Sequence, residues 1–307
     1  MAPATDSPTA DRTPITSSRS GQRASHSLPF DISAPPPPPV SRVAALWTVI
    51  RFGMWVFLLG GVMSLAVKPW VHLSLWMIFR RCVSIAAAIS LWVSLARWER
   101  QSVRACGLSA SRDGAEQLAC GLLLGGSILL FMLGMYLMTG VCHIDMTPDR
   151  VKLWRTLVGF VPAALLVGVL EELVFRGYLL RHLLPYSKPI ACIASSLLYA
   201  VVHLKTPPTE WMMWMELGGL FLLGMTLSLS YLLTNQLSFA IGLHAILAYG
   251  ARVNKLVISF PNSPFAWIFG TSRLVNGMVS WVGLLLMGGL LVWWWRRSSL
   301  EREGSAS

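Results

Sequence analysis

Two adjacent glutamates, Glu171 and Glu172, lie inside a long apolar run of the sequence. The preceding residues, 157–170, carry no charge, and the following residues, 173–180, carry only Arg176. A run of this length and apolarity predicts a membrane-spanning helix. Ionised side chains are costly in such a helix, so we expect them to face protein or trapped water and to serve a function.

The spacing of these charges indicates that one glutamate can form an ion pair with the arginine while the other glutamate stays outside that pair. On a helix, Glu172 and Arg176 are i,i+4 neighbours and can pair. Glu171 is turned by about 100° from Glu172 and lies off that pair. A carboxylate in a poorly hydrated site suits a general base that acts on water. A structural or proton-relay ion pair would show the same pattern, so both interpretations stay open at this point.

Composition indicates a polytopic membrane protein. Hydrophobic residues make up 54% of the 307 residues, and charged residues only 13%. The net charge of +11 does not require nucleic acid, because Lys and Arg fall mostly in the tail and between apolar runs. Lipid headgroups are the simpler partner for such cations. Five dispersed cysteines without a CxxC pair argue against a disulfide framework or a cysteine metal site.

Three regions are predicted along the chain. Residues 1–42, rich in Ser, Pro and Arg, are expected to be a disordered tail, and residues 298–307 a polar C-terminal tail. Residues 43–297 are expected to form an all-α polytopic membrane bundle of about eight transmembrane helices. The predicted spans are approximately 43–67, 82–96, 118–141, 157–184, 190–204, 213–234, 237–253 and 277–295, with an interfacial or re-entrant piece at 69–81.

Two histidines are candidates to join the glutamates. Glu171 lies sixteen residues before Ser187, and His203 lies sixteen residues after it. Antiparallel helices closed at that turn therefore place both groups at the same depth, about 24 Å along the axis. His244 lies about eight residues, or about 12 Å, after the turn near Gln236, which places it about 10 Å away in depth if both turns lie at the same level; helix tilt or a deeper turn would remove this offset. Taken alone, His244 is more often structural than catalytic.

The combination predicts peptide-bond hydrolysis inside the membrane. Glu171, with His203, would hold and deprotonate a water, and His244 would donate to the developing oxyanion. Glu172 and Arg176 would hold the helix and tune the site. In a variant, a divalent metal such as zinc lies between Glu171, His203 and His244 as a Lewis acid. The lack of an HExxH motif and ligands from three helices argue against this variant.

The same residues resemble three motifs of the CPBP family, which contains the CAAX-type proteases and their bacteriocin-processing relatives. EELVFR at 171–176 is similar to the first motif, YAVVH at 199–203 to the second, and GLHA at 242–245 to the third, in the family's order. The resemblance implies an eight-helix intramembrane endopeptidase. It also implies that Glu171 and His203 activate water, that His244 contributes to the oxyanion hole, and that Glu172 and Arg176 support them.

One position departs from the family pattern. The family often has Asn or Asp four residues after the histidine of the third motif, and here that position is Ala248. An oxyanion donor is therefore missing, replaced by another group such as Asn254, or unnecessary in this subgroup. The three alternatives stay open on the sequence.

The leading hypothesis is an intramembrane endopeptidase, of metalloprotease or glutamate type, that acts on a membrane-anchored protein or peptide. A prenylated CAAX-type substrate is one candidate, and the plasma (inner) membrane is the expected location. A non-enzymatic immunity or assembly factor that keeps the fold is the first alternative. A proton-coupled transporter with Glu171, Glu172 and His203 as a relay is the second, disfavoured because no internal repeat is evident.

Overall fold

Long apolar helices make up most of the structure, a computed structural model that describes residues 41–108, 110–204, 210–260, 265–271 and 273–304. The predicted disordered tail lies almost entirely outside these residues. The helices are α1 (Arg42–Val67), α2 (Leu75–Glu99), α3 (Arg112–Met138), α4 (Arg150–Leu157), α5 (Phe160–Leu183), α6 (Lys188–His203), α7 (Trp211–Thr234), α8 (Ser238–Val257) and α9 (Met278–Gly304). Short helical turns lie at Lys68–Trp70, Val103–Cys106 and Ala266–Phe269.

Within the described residues, the β-structure consists of one ribbon of two short strands. Strand β1 (His143–Ile144) follows α3, and strand β2 (Ile258–Ser259) follows α8. The strands are antiparallel, with His143 opposite Ser259. The ribbon therefore ties the C-terminal ends of α3 and α8 together.

Length and apolarity mark four helices as candidate membrane spans in the described part of the chain. These are α1 with its short extension to Trp70, α2, α3 and α7. The pair α4 and α5 is bent by 42° and adds a fifth span if it crosses as one element. Helix α6 and residues Met278–Trp294 of α9 are apolar but shorter. The predicted all-α polytopic bundle is confirmed, while the predicted number of eight spans is not.

The predicted interfacial piece before the second span is wrong. Helix α2 begins at Leu75, and the side chain of Ser74 caps it by accepting a hydrogen bond from the Met77 amide at 3.3 Å. Arg80 and Arg81 consequently lie inside the second turn of a continuous helix. The sequence interpretation treated these two charges as a boundary, but long basic side chains can extend from a helix towards polar surroundings.

A break between α4 and α5 corrects the predicted fourth span. A Cβ atom on Gly159 would lie 2.7 Å from the carbonyl oxygen of Arg155, so this tight connection requires glycine. Pro162 lies in the first turn of α5, where its missing N–H costs no helical hydrogen bond. The unbroken helix that carries the glutamates therefore begins at Phe160 instead of residue 157.

Helix α8 is held at close range to its neighbours by small residues. A Cβ atom on Gly121 of α3 would lie 2.2 Å from the carbonyl oxygen of Phe239, and one on Gly242 would lie 2.3 Å from that of Leu118. On the other side, a Cβ atom on Gly168 of α5 would lie 3.1 Å from the carbonyl oxygen of Ile241. Backbones can approach this closely only where side chains are absent. The contacts fix the depth and rotation of α8, which carries His244.

Substituting Gly121 by Ala is expected to destabilise the protein by about 1–3 kcal/mol, because the added methyl group collides with backbone that cannot rotate away. Gly134→Ala on the same helix is the matched control, since no heavy atom lies within 4 Å of the added Cβ. Equilibrium unfolding in detergent micelles measures both. Equal stability of the two variants would contradict the close approach of α3 and α8.

Candidate active site

The glutamates lie in the middle of α5, where the helix changes its winding. After Glu172 the hydrogen bonding becomes π-helical from Leu173 to Leu180, and every residue of this segment is buried. Such wide turns occur often at functional sites. The predicted pair is present: Arg176 Nη1 donates to Glu172 Oε1 at 2.8 Å, and both side chains are 0% exposed.

Arg176 uses its remaining donors to connect α5 to α7. Its Nη2 donates to the carbonyl oxygen of Gly224 at 2.9 Å, and its Nε approaches the hydroxyl of Ser228 at 3.4 Å. Its guanidinium carbon lies 4.9 Å from the centre of the Tyr199 ring. A buried cation needs this complete set of partners, because a guanidinium without them would carry the full cost of desolvation.

His203 meets Glu171 as the residue count predicts. Its Nε2 lies 3.1 Å from Glu171 Oε2, an ion-pair distance, although Oε2 has no aligned hydrogen bond within the described residues. Its Nδ1 lies 2.8 Å from the carbonyl oxygen of Tyr199. A carbonyl oxygen only accepts, so Nδ1 carries a hydrogen and Nε2 faces the carboxylate. Two lone pairs would repel each other there, and the Glu171–His203 pair therefore holds one further proton.

His244 lies at the same depth as the glutamates, so the offset of about 10 Å expected for turns at equal levels is absent, and the alternative of a deeper turn holds. Its Nδ1 donates to Glu172 Oε1 at 2.7 Å, and its Nε2 lies 3.6 Å from Glu171 Oε2. The start of α8, directly after the turn, packs inside the protein: Leu237 is 0% exposed and lies beside Gly177. From that level, six residues lead back to Glu171 and seven lead on to His244, about 9 and 10 Å.

Glu172 has a second role that the sequence interpretation missed. Its Oε1 accepts hydrogen bonds from both Arg176 and His244, so it orients the imidazole and leaves Nε2 of that ring directed towards Glu171. The i,i+4 rule reveals the arginine partner, but no local pattern reveals a histidine 72 residues away. Glu172 is therefore a positioning group as well as an ion-pair partner.

Tyr199 forms the wall between the two histidines. Its ring centre lies 4.2 Å from that of His203 and 5.9 Å from that of His244, and Phe175 packs on it edge-on at 5.2 Å. On the sequence it was recognised only as a motif residue. The i,i+4 spacing of Tyr199 and His203 is the signal that could have predicted its carbonyl contact.

A cavity of about 250 Å³ opens beside Glu171, His203 and His244. Ala248 lines it, so the position that departs from the family pattern does face the site. Asn254 lies ten residues, about 15 Å, beyond His244 along α8 and cannot replace a donor at that position. The remaining wall is mostly apolar, and it includes Ile128, Leu129, Met132, Val167, Leu220, Leu223, Leu247, Leu284 and Met287.

The described residues contain no group of three or more His, Cys, Asp or Glu side chains with the geometry of a metal site. The set Glu171, His203 and His244, which the metal variant required, does not form one. The metalloprotease assignment is therefore not supported.

Comparison with known proteins agrees with the motif analysis. The family model described as Type II CAAX prenyl endopeptidase Rce1-like matches residues 153–249, a segment that contains Glu171, Glu172, Arg176, His203 and His244. Neither the curated protein sequences nor the solved structures gave a significant match. The matched segment contains the motif residues that meet in one buried cluster of an all-α membrane bundle, and the match supports a relation of this chain to the CPBP family of CAAX-type intramembrane endopeptidases.

Proposed function

We propose that the protein hydrolyses a peptide bond of a membrane-anchored protein or peptide, with water activated by Glu171 and His203. The observation that carries the proposal is the 3.1 Å contact of Glu171 Oε2 with His203 Nε2 beside the cavity. A prenylated CAAX-type C-terminus is the substrate class, in line with the matched family. The plasma (inner) membrane is the proposed location.

Glu171 is the group that accepts the proton of the attacking water. Its side chain is 27% exposed and lines the cavity, so the carboxylate can receive a water there, while its Oε2 is turned towards His203 and His244. Glu172 cannot take this role, because its side chain is 0% exposed and does not line the cavity, and its Oε1 already accepts two hydrogen bonds. The two adjacent carboxylates therefore have different tasks.

Glu171, His203 and one water account for every proton that moves in the reaction. As the water oxygen bonds to the substrate carbonyl carbon, one water proton passes to Glu171. His203 gives the proton of the pair to the leaving nitrogen as the C–N bond breaks. The pair again holds one proton after release of the new carboxyl group and amine, so the cycle consumes one water and needs no other reactant.

His244 stabilises the oxygen of the tetrahedral intermediate. Glu172 accepts from Nδ1, which aims Nε2 into the cavity, and a proton on Nε2 would donate to the oxyanion. The cation that this requires is stabilised by Glu172 at 2.7 Å and Glu171 at 3.6 Å. Ala248 adds no donor, so His244 carries this task without a side chain from the next turn of α8.

An S-farnesylated peptide with a CAAX C-terminus tests the function. The purified protein in detergent micelles is expected to cleave it, and mass spectrometry of both products locates the bond. The unprenylated peptide of the same sequence is expected to be cleaved more slowly, because the apolar cavity favours a lipid-bearing substrate. Absence of cleavage of either peptide would reject the proposal and favour the non-enzymatic alternative.

A further inference from the structure

The cavity that reaches Glu171 at one end reaches basic residues at the other. Five residues of α8 line it: His244, Leu247, Ala248, Ala251 and Lys255. Their spacing of i, i+3, i+4, i+7 and i+11 follows a single face of a helix. The cavity therefore runs along α8 for eleven residues, about 16 Å, from the histidine to the lysine.

The walls between the two ends offer no charge to a ligand. Apolar side chains from several helices enclose this stretch, among them Leu129, Met132, Leu220, Leu247, Leu284 and Met287. An extended peptide segment in this space would have apolar side chains. Any charge on it would have to lie at one end of the cavity, because an ion is costly to bury without a partner.

The two cations at the far end differ in their partners. Arg273 forms an ion pair with Glu216, which also lines the cavity, so its charge is already neutralised. Lys255 is exposed in the last turn of α8 and has no carboxylate partner within the described residues. Lys255 therefore supplies the uncompensated positive charge at this end, and an anionic group is its complement.

We propose that Lys255 binds the C-terminal α-carboxylate of the substrate. The proposal rests on the function proposed above, and it adds the substrate feature that the enzyme recognises. A lysine side chain reaches about 6 Å. The remaining 10 Å or so accommodates about three extended residues at roughly 3.3 Å each. The cavity thus sets the length of the peptide that is released from the end of the chain.

The role proposed for Lys255 does not depend on the family match. Lys255 and Arg273 lie beyond residues 153–249, the segment that matches the family model. The carboxylate site is therefore a property of the C-terminal part of this chain, where α8 ends and the segment before α9 closes the cavity.

Two S-farnesylated peptides of one sequence test the assignment, one with a free C-terminal acid and one with a C-terminal carboxamide. In zwitterionic micelles the wild-type protein is expected to cleave the acid with about tenfold higher kcat/KM, the usual size of a charge-assisted contact. Lys255→Ala and Lys255→Gln are expected to lose this preference by slowing cleavage of the acid alone. Lys255→Arg is expected to keep most of it.

Arg252→Ala is the matched control. Arg252 lies on the same helix one turn earlier, stacks on Phe160 at 5.9 Å and does not line the cavity, so its loss should leave the acid-to-amide ratio unchanged. A melting curve of each variant shows whether it is folded. The exposed position of Lys255 at the end of α8 makes both neutral substitutions compatible with folding.

Distinct results separate the failure of this proposal from the failure of the function. Equal cleavage of acid and amide by the wild type, or an unchanged ratio in Lys255→Ala, overturns the carboxylate site but leaves the endopeptidase intact. A loss that is equal for both peptides and appears only when anionic phospholipid is added assigns Lys255 to lipid headgroups, and also overturns the proposal. No cleavage of either peptide by the wild type rejects the endopeptidase function itself.

Discussion

Replacing Glu171 by Gln is expected to lower kcat by about 10²–10⁴-fold, the range over which a positioned general base contributes to catalysis. The amide keeps the shape of the side chain but cannot accept the proton of the attacking water. Because the substrate is held by the cavity, KM should change by less than about threefold. Initial rates with the farnesylated peptide over a range of concentrations give both constants.

Glu116→Gln is the control for this substitution. Glu116 belongs to an exposed pair with Arg112 at the start of α3, so its charge can be removed without touching the site. The variant should retain the wild-type kcat and KM. A Glu171→Gln enzyme with a kcat near that of Glu116→Gln would remove Glu171 from the role of base, whatever the stability of the two proteins.

Replacing Arg176 by Met is expected to cause the largest loss of stability, about 3–5 kcal/mol, because it leaves a buried carboxylate without its cation. Glu172 is 0% exposed and would keep only His244 as a hydrogen-bond partner among the described side chains. Equilibrium unfolding in mixed detergent micelles measures the change. The stability of Arg176→Lys should lie between that of the wild type and that of Arg176→Met. Lysine keeps the positive charge but loses the forked guanidinium that reaches both Glu172 and Gly224.

The chain contains its own control for this experiment. Arg112 and Glu116 have the same i,i+4 spacing and pair at 3.1 Å, but their side chains are 91% and 64% exposed. Arg112→Met should change the free energy of unfolding by no more than about 0.5 kcal/mol. If Arg176→Met and Arg112→Met destabilised the protein equally, the burial of the Glu172–Arg176 pair would be wrong.

The arrangement of the site explains why two neighbouring glutamates are present. Glu172 is held by Arg176 and orients His244, whereas Glu171 lines the cavity with its carboxylate. The rotation of about 100° between successive helical residues sends the two carboxylates in these different directions. A single glutamate would have to bind Arg176 and His244 and also accept the proton of the attacking water with the same carboxylate oxygens.

The sequence by itself determined the features that depend on local geometry. An apolar run with internal charge predicts a buried helix, and i,i+4 spacing predicts the pair of Glu172 with Arg176, because both follow from the helical repeat. Equal chain lengths on either side of a tight turn predict that Glu171 meets His203, because antiparallel helices rise at the same rate. These relations need no knowledge of how distant segments pack.

Only the tertiary structure decided the features that depend on contacts between distant segments. The depth of His244 is set by the burial of Leu237 against Gly177, so a count from the turn alone misplaces it. The bond from His244 to Glu172 and the cavity that joins Glu171 to Lys255 arise from helices brought together by glycine contacts. Packing between helices that are distant in sequence depends on the shapes of several surfaces at once, so the residue pattern of one helix does not predict it.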